Sequence, residues 1–122
     1  METNFKKILI IDKKPKNLEL ITQILEKDNF ECFGAETYEQ IDFVLDNQLE
    51  LKVAIIDVVG FNEQIWKRCK RIHQRKIPFL VLSSHPNLLL QKESINHGAS
   101  SLVTKPVLIK EFLKLLNSII NE

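Results

Sequence analysis

The sequence predicts an α/β fold in which a doubly wound parallel sheet of five strands lies between two layers of helices. Short apolar runs without polar alternation, typical of strands buried on both faces, alternate with segments of helical periodicity. The two clearest runs each end in a carboxylate: residues 8–11 lead into Asp12, and residues 53–56 lead into Asp57. Because ligands of open α/β sheets bind beyond the carboxyl ends of the strands, we expect the functional site there.

The composition is that of an ordinary single domain, residues 1–122. The chain is 44% hydrophobic and 27% charged, with a net charge of +1, which favours neither a nucleic acid nor a membrane as partner. No apolar run is long enough to span a bilayer, and residues 1–7 do not have the form of a signal peptide. Cys32 and Cys69 lack metal-type or redox-type spacing, so we expect two reduced, mostly buried thiols in a cytoplasmic protein.

The first half of the chain contains two strand–helix units. Residues 7–11 form the first strand, and Pro15 suits the first turn of the following helix, where its missing N–H costs nothing. Residues 30–33 form a weaker strand, expected near an edge of the sheet because it carries a charge. Thr37, with Gln40 three residues later, has the form of a capping box and predicts the second helix.

The third and fourth units repeat the pattern. Residues 53–57 form the third strand, and Gly60 in the loop after it indicates an unusual backbone turn. The next helix has apolar residues at helical spacing: Ile65, Cys69 and Ile72. Residues 77–83 form the fourth strand, and a helix begins at residues 86–87 and runs to Gly98, which is a good residue to end it.

The fifth unit consists of a short strand over residues 101–104 and a strongly apolar helix over residues 108–120. Five such units with right-handed crossovers fit the strand order 2-1-3-4-5 of a flavodoxin-like (βα)5 fold. In that order the first and third strands are neighbours. We therefore expect Asp12 and Asp57 to meet at the switch point of the sheet.

Four of the five predicted strands end in a polar residue: Asp12, Asp57, Ser83 and Lys105. A carboxylate can act as a nucleophile toward phosphorus, while a hydroxyl and an ammonium can hold phosphoryl oxygens. Strand ends are also polar simply because loops are wet. A set of such complementary groups at one edge of a sheet favours a functional site over that explanation.

The same residues carry a resemblance to the response-regulator receiver domains of two-component signalling, and the resemblance covers nearly the whole chain. The matching positions are residues 8–12, Pro15, residues 17–18, Asp57, residues 83–84, residues 98–99 and residues 104–106. The last two groups read Gly-Ala and Thr-Lys-Pro at the spacing usual for the family. Together these matches are specific, although any one alone would be weak.

The resemblance implies a mechanism for a signalling domain that is not an enzyme. Asp57 would accept a phosphoryl group from a histidine kinase, a phosphotransfer protein or a small donor. Asp12 and Asp57, with the backbone carbonyl of Val59, would hold Mg²⁺. Lys105 would pair with the phosphoryl group and Ser83 would close on it. The peptide bond before the proline that follows the lysine is cis in this family.

Two positions depart from the family pattern. Lys13 stands where the family has a second acidic metal ligand, and an ammonium supplies no oxygen and repels Mg²⁺. We expect Lys13 partly to replace the metal by reaching Asp57 or Asp12, which makes phosphorylation slow or absent. The alternative is that Lys13 points to solvent and a weak metal site survives. Leu102 takes the position of the aromatic switch residue and presents neither an aromatic edge nor a hydroxyl.

The surfaces suggest partners less specifically. The last helix carries two apolar rows, Ile109-Leu113-Leu116-Ile120 and Leu108-Phe112-Leu115-Ile119. One row is enough for the core, so the second either meets a protein partner or a second copy, or belongs to a wide core stripe. The third helix carries Lys67, Arg68, Lys70, Arg71, Arg75 and Lys76 beside Trp66. We favour a solvated face over a phosphate-binding patch there, and we expect no nucleic-acid partner for this domain alone.

Other functions fit the residues less well. An enzyme of the haloacid dehalogenase type needs a second carboxylate at Val59, and a dinucleotide-binding module needs a Gly-rich turn after the first strand. His85 fits a loop residue near the edge of the site. The serious alternative is a pseudo-receiver that works through protein contacts without phosphorylation. We expect either a stand-alone regulator or a receiver from a longer chain.

Overall fold

The computed structural model describes residues 5–121, in which five strands alternate with five helices. The elements are β1 (Lys6–Ile11), α1 (Pro15–Glu26), β2 (Phe30–Ala35), α2 (Tyr38–Asn47), β3 (Leu51–Asp57), α3 (Gln64–Gln74), β4 (Phe79–Ser83), α4 (Leu88–Asn96), β5 (Ser101–Thr104) and α5 (Ile109–Ile120). Within the described residues, no helix has the length and apolar character needed to cross a bilayer. The expectation that there is no signal peptide falls in part on residues 1–4, which lie outside the described residues.

The sheet is parallel and has the predicted order β2-β1-β3-β4-β5. Its edge strand β2 is the one that the sequence placed near an edge. At the carboxyl end, Ile11 pairs with Ile56, and Ser83 pairs with Thr104. The ends of β1, β3, β4 and β5 therefore lie at one edge of the sheet, which brings their terminal polar residues together.

Successive residues of β1 point to opposite faces of the sheet, as the pleat of a strand requires. Ile8 and Ile10 pack with apolar residues of α1 and α5, whereas Leu9 and Ile11 pack with those of α2 and α3. All four are fully buried, which explains why the strand is apolar without alternation. The two helical layers thus cover both faces of the sheet, and the polar residues lie at its carboxyl edge.

The local signals place the helix ends close to where the sequence put them. Thr37 Oγ1 accepts from the N–H of Gln40 over 3.1 Å, while Gln40 Oε1 accepts from the N–H of Glu36, one residue before the cap. Gly60 and Gly98 both adopt positive φ, 86° and 95°, as their turns require. The capping box is therefore present in a modified form: the Gln40 side chain accepts from the N–H of Glu36 instead of that of the cap residue Thr37.

The last helix packs as a wide core stripe. Its buried residues, Phe112, Leu116 and Ile119, come from both of the apolar rows in the sequence. Only the start of the stripe is open to solvent, where Leu108 is 65% exposed and Ile109 is 50% exposed. The helix therefore does not present a second, fully exposed apolar row. Its apolar stripe is broad, and residues of both rows pack against the sheet.

Candidate functional site

Asp57 and Lys105 form an ion pair at the centre of the carboxyl edge of the sheet. Asp57 is 3% exposed, and the Lys105 side chain is 23% exposed, so the pair is largely removed from water. The ammonium contacts Asp57 Oδ2, while Oδ1 accepts from the backbone N–H of Val59 over 3.0 Å. The carboxylate is thus held by a cation on one oxygen and by the following loop on the other.

Asp12 lies beside this pair at the end of β1 and is buried. Its Oδ1 accepts from the backbone N–H of Lys14 over 2.9 Å, but its Oδ2 is buried and has no hydrogen-bond partner among residues 5–121. Burial raises the pKa of the Asp12 carboxyl, and the charge of Asp57 adds to that rise. A buried oxygen without a partner marks a place that a donor or a cation can fill.

Lys13 makes a different contact from the one expected. Its Nζ donates to the carbonyl oxygen of Gly60 over 2.9 Å and lies 5.7 Å from the centre of the Phe61 ring. Within residues 5–121 it forms no ion pair with Asp12 or Asp57, so the predicted contact is wrong. The Lys13 stem packs over Gly60, and Lys105 already occupies Asp57. Whether Lys13 substitutes for a metal stays a prediction.

The donors that could hold Mg²⁺ are few. Asp12 and Asp57 supply carboxylate oxygens and Val59 supplies a backbone carbonyl, which are the hard oxygen ligands that Mg²⁺ prefers. The part of the chain that the structure describes contains no cluster of three or more His, Cys, Asp and Glu side chains able to hold a metal. Two carboxylates and one backbone carbonyl are thus the oxygen donors that this edge of the sheet offers a metal ion.

The other predicted residues line the same edge. Ser83 is buried, and its Oγ accepts from the backbone N–H of His85 over 3.1 Å. His85 itself is an exposed residue. The backbone N–H of Lys105 donates to the carbonyl of Ser83 over 2.9 Å, which ties β5 to β4. The Lys105–Pro106 bond is cis. Leu102 is half-buried against the α2–α3 side of the core.

An ion-pair cluster joins α2 to α3, and sequence reasoning missed it. Arg68 donates to both oxygens of Asp42, and Arg71 contacts Asp42 and Asp46. Arg75 donates to backbone carbonyls at the end of α2. The acidic partners lie on the preceding helix at i and i+4, which is the signal that could have revealed them. Three of the six basic residues in and just after α3 thus have structural partners, which favours a structural explanation over a phosphate-binding patch.

Both cysteines are free, as expected. Cys69 is buried and Cys32 is half-buried. Burial raises the pKa of each thiol to about 12, so little thiolate exists at neutral pH. Neither cysteine is therefore suited to nucleophilic chemistry in the folded chain.

Comparisons with known proteins agree with one another. The family model for the response regulator receiver domain matches residues 8–117. The heme response regulator HssR of Staphylococcus saprophyticus is 26% identical over 113 residues, which are 92% of this chain and 50% of that protein. The chain therefore spans about half the length of this curated relative.

Two solved structures illustrate the likeness in fold. A response regulator from Thermotoga maritima has a TM-score of 0.85 at 21% identity, covering 98% of this chain and all of that one. A CheY-like receiver domain protein from Methanospirillum hungatei has a TM-score of 0.87 at 22% identity, covering 97% and 95% of the two chains. At these identities the structures show the shared fold alone.

Proposed function

The chain belongs to the family of response regulator receiver domains, and we propose that Asp57 is its phosphoacceptor in a phosphorelay. The observation that carries this proposal is the ion pair between buried Asp57 and Lys105 beside Asp12, at the switch point of the sheet. The donor would be a histidine kinase or a phosphotransfer protein. The domain would act by being modified rather than as an enzyme, and its cytoplasmic location stays a prediction.

The chemistry follows from the groups at the strand ends. An oxygen of Asp57 attacks the phosphorus of a phosphohistidine, the P–N bond breaks, and its electron pair stays on the imidazole of the donor. Lys105 moves its contact from the carboxylate to the transferred phosphoryl oxygens, and the Ser83 hydroxyl, which accepts from His85 N–H, donates its own proton to them. The product is an acyl phosphate held at the edge of the sheet.

Receiver domains typically use Mg²⁺, and we propose that its contribution is weakened in this one. Lys13 takes the place of an acidic ligand, so the charges of Asp12, Asp57, Lys105 and, at the rim, Lys13 sum to a formal charge of zero. A divalent cation is then attracted less strongly than by an excess of carboxylates. The position of Lys13 supports a weakened metal site, because its ammonium donates to the carbonyl of Gly60, the residue after Val59.

Acetyl phosphate and intact-mass measurement test the proposal. The wild-type chain is incubated with acetyl phosphate, with and without Mg²⁺, beside the variant Asp57→Asn. We expect slow addition of one phosphoryl group, weakly dependent on Mg²⁺, and none on the variant. Fast and strongly Mg²⁺-dependent addition would contradict the weakened metal site. Equal modification of Asp57→Asn would contradict the assignment of Asp57.

A second candidate is an interaction module that does not depend on phosphorylation. The Lys13–Gly60 bond joins the two loops of the site through one of the chain's own side chains, which favours this reading. Exposed apolar side chains on α4 and at the start of α5 support a protein partner or a second copy as its target: Leu88, Leu89, Ile95, Leu108 and Ile109. In this case Asp57→Asn would bind the physiological partner as tightly as the wild type does.

A further inference from the structure

We propose that Tyr38 is a positioning residue that fixes the β3–α3 loop, residues 58–63, to the Asp42–Arg68 ion pair. The loop carries Val59 and directly follows Asp57, whereas the ion pair lies between α2 and α3. Tyr38 is the first residue of α2 and lies between the two. The loop and the α2–α3 cluster are thereby made to move as one unit.

The hydroxyl of Tyr38 holds Asn62 at two atoms. It donates to Asn62 Oδ1 over 2.6 Å and accepts from the backbone N–H of Asn62 over 3.1 Å. The same Oδ1 accepts from the backbone N–H of Gln64 over 2.9 Å, which satisfies a free donor in the first turn of α3. One hydroxyl therefore orients the residue at which the loop becomes the helix.

The ring of Tyr38 makes the second half of the link. It packs against the Phe61 ring at a centroid distance of 5.4 Å, and the guanidinium of Arg68 lies 4.6 Å from its centroid. Arg68 donates to both oxygens of Asp42 over 2.9 and 3.3 Å, in the two-pronged geometry that fixes a guanidinium. These contacts orient the half-buried ring and oppose its release of Asn62 alone.

The loop is held at two further points on its other side. Val59 N–H donates to Asp57 Oδ1, and the Gly60 carbonyl accepts from Lys13. A group added to Asp57 competes for the bond to Val59, and the strain reaches Asn62 within three residues. This last step rests on the proposed function of Asp57, whereas the positioning of the loop by Tyr38 does not.

Amide hydrogen exchange on the unmodified protein tests the positioning role. Tyr38→Phe keeps the ring and removes only the hydroxyl. We expect exchange at Asn62 and Gln64 to accelerate about three- to tenfold, the factor that a hydrogen bond of ordinary strength represents, while β1 and β4 are unchanged. The control Thr37→Ser, one residue away, keeps the hydroxyl that caps α2, and we expect it to leave exchange at Asn62 and Gln64 unchanged.

A double substitution tests the link to the ion pair. Asp42→Asn should also accelerate exchange at Asn62, and adding Tyr38→Phe should then have a reduced effect. Asp46→Asn should leave Asn62 unchanged, because Asp46 pairs with Arg71 rather than with Arg68. Unchanged exchange at Asn62 in Tyr38→Phe, equal acceleration across the whole domain, or independent effects of the two substitutions would overturn the proposal. None of these readouts requires phosphorylation, so failure of the proposed function would appear only in the acetyl phosphate experiment.

Discussion

The ammonium of Lys13 donates to the carbonyl oxygen of Gly60 over 2.9 Å, which joins the loop after β1 to the loop after β3. These strands are neighbours in the sheet, so the bond bridges the two loops that carry the acidic residues of the site. The cation therefore lies at the rim and not between the carboxylates. Its hydrogen bond holds the two loops together.

Replacing Lys13 by Asp should create the missing acidic ligand. We expect Lys13→Asp to bind Mg²⁺ at least tenfold more tightly than the wild type, because about 1.4 kcal/mol of changed electrostatic energy suffices for that factor. Isothermal titration calorimetry with MgCl₂ measures the affinity directly. Lys16→Asp, at an exposed position in α1, is the control of equal charge change. Equal gains in the two variants would show that only the general charge matters.

Removing the cation from Asp57 should destabilise the fold. Lys105→Met leaves a buried carboxylate without its partner, so we expect the free energy of unfolding at pH 7 to fall by about 1–3 kcal/mol. Urea denaturation followed by circular dichroism measures the loss. In an Asp57→Asn background the same substitution should cost much less, because no charge is left unpaired. A cost that is the same in both backgrounds would contradict the pairing.

The pH dependence of the free energy of unfolding should show that burial of the ionised Asp12 carboxylate destabilises the fold. Its folded-state pKa lies above the ordinary value of 3.8, so the folded chain binds this proton more tightly than the unfolded chain does. Its favourable contribution is complete below pH 3.8 and is lost as the pH rises through the folded-state pKa. We therefore expect Asp12→Asn to be more stable than the wild type at neutral pH, because the amide carries no buried charge.

This advantage should shrink as the pH falls and disappear near pH 3.8. Thermal or urea unfolding between roughly pH 3.5 and pH 7, in a buffer with a chelator, gives the stability of both proteins as a function of pH. The lower end of this range is where ordinary carboxyl groups titrate. An advantage that does not change with pH would mean that the ionisation of Asp12 is not its source.

The cluster between α2 and α3 should contribute a salt-sensitive part of the stability. Asp42→Asn removes the partner that Arg68 and Arg71 share, and we expect a loss of about 1 kcal/mol at low salt that decreases in 1 M NaCl, where the screening length is only about 3 Å. Asp46→Asn should cost less, because Asp46 is more exposed and pairs with Arg71 rather than with both arginines. Urea denaturation at the two salt concentrations provides the comparison, and equal losses in the two variants would argue against a shared partner.

The spacing of apolar residues was sufficient to predict the architecture, because residues close together in sequence indicate each strand and helix. The apolar runs before Asp12 and Asp57 identified buried strands, and alternating units then fixed the order of the sheet. Thr37 and Gly98 marked helix ends through their own backbone preferences. The two rows of the last helix were harder to interpret, because the width of a core stripe depends on how the helix faces the sheet.

The sequence by itself determined the kind of fold and the types of residue that end its strands, since burial and helical spacing are written into neighbouring positions. The tertiary structure alone decided which charges meet: Lys105 pairs with Asp57, Lys13 bonds Gly60, and Arg68 reaches Asp42. These partners lie far apart in the chain, and long flexible side chains choose among several neighbours. Only the packed positions of the loops and helices settle that choice.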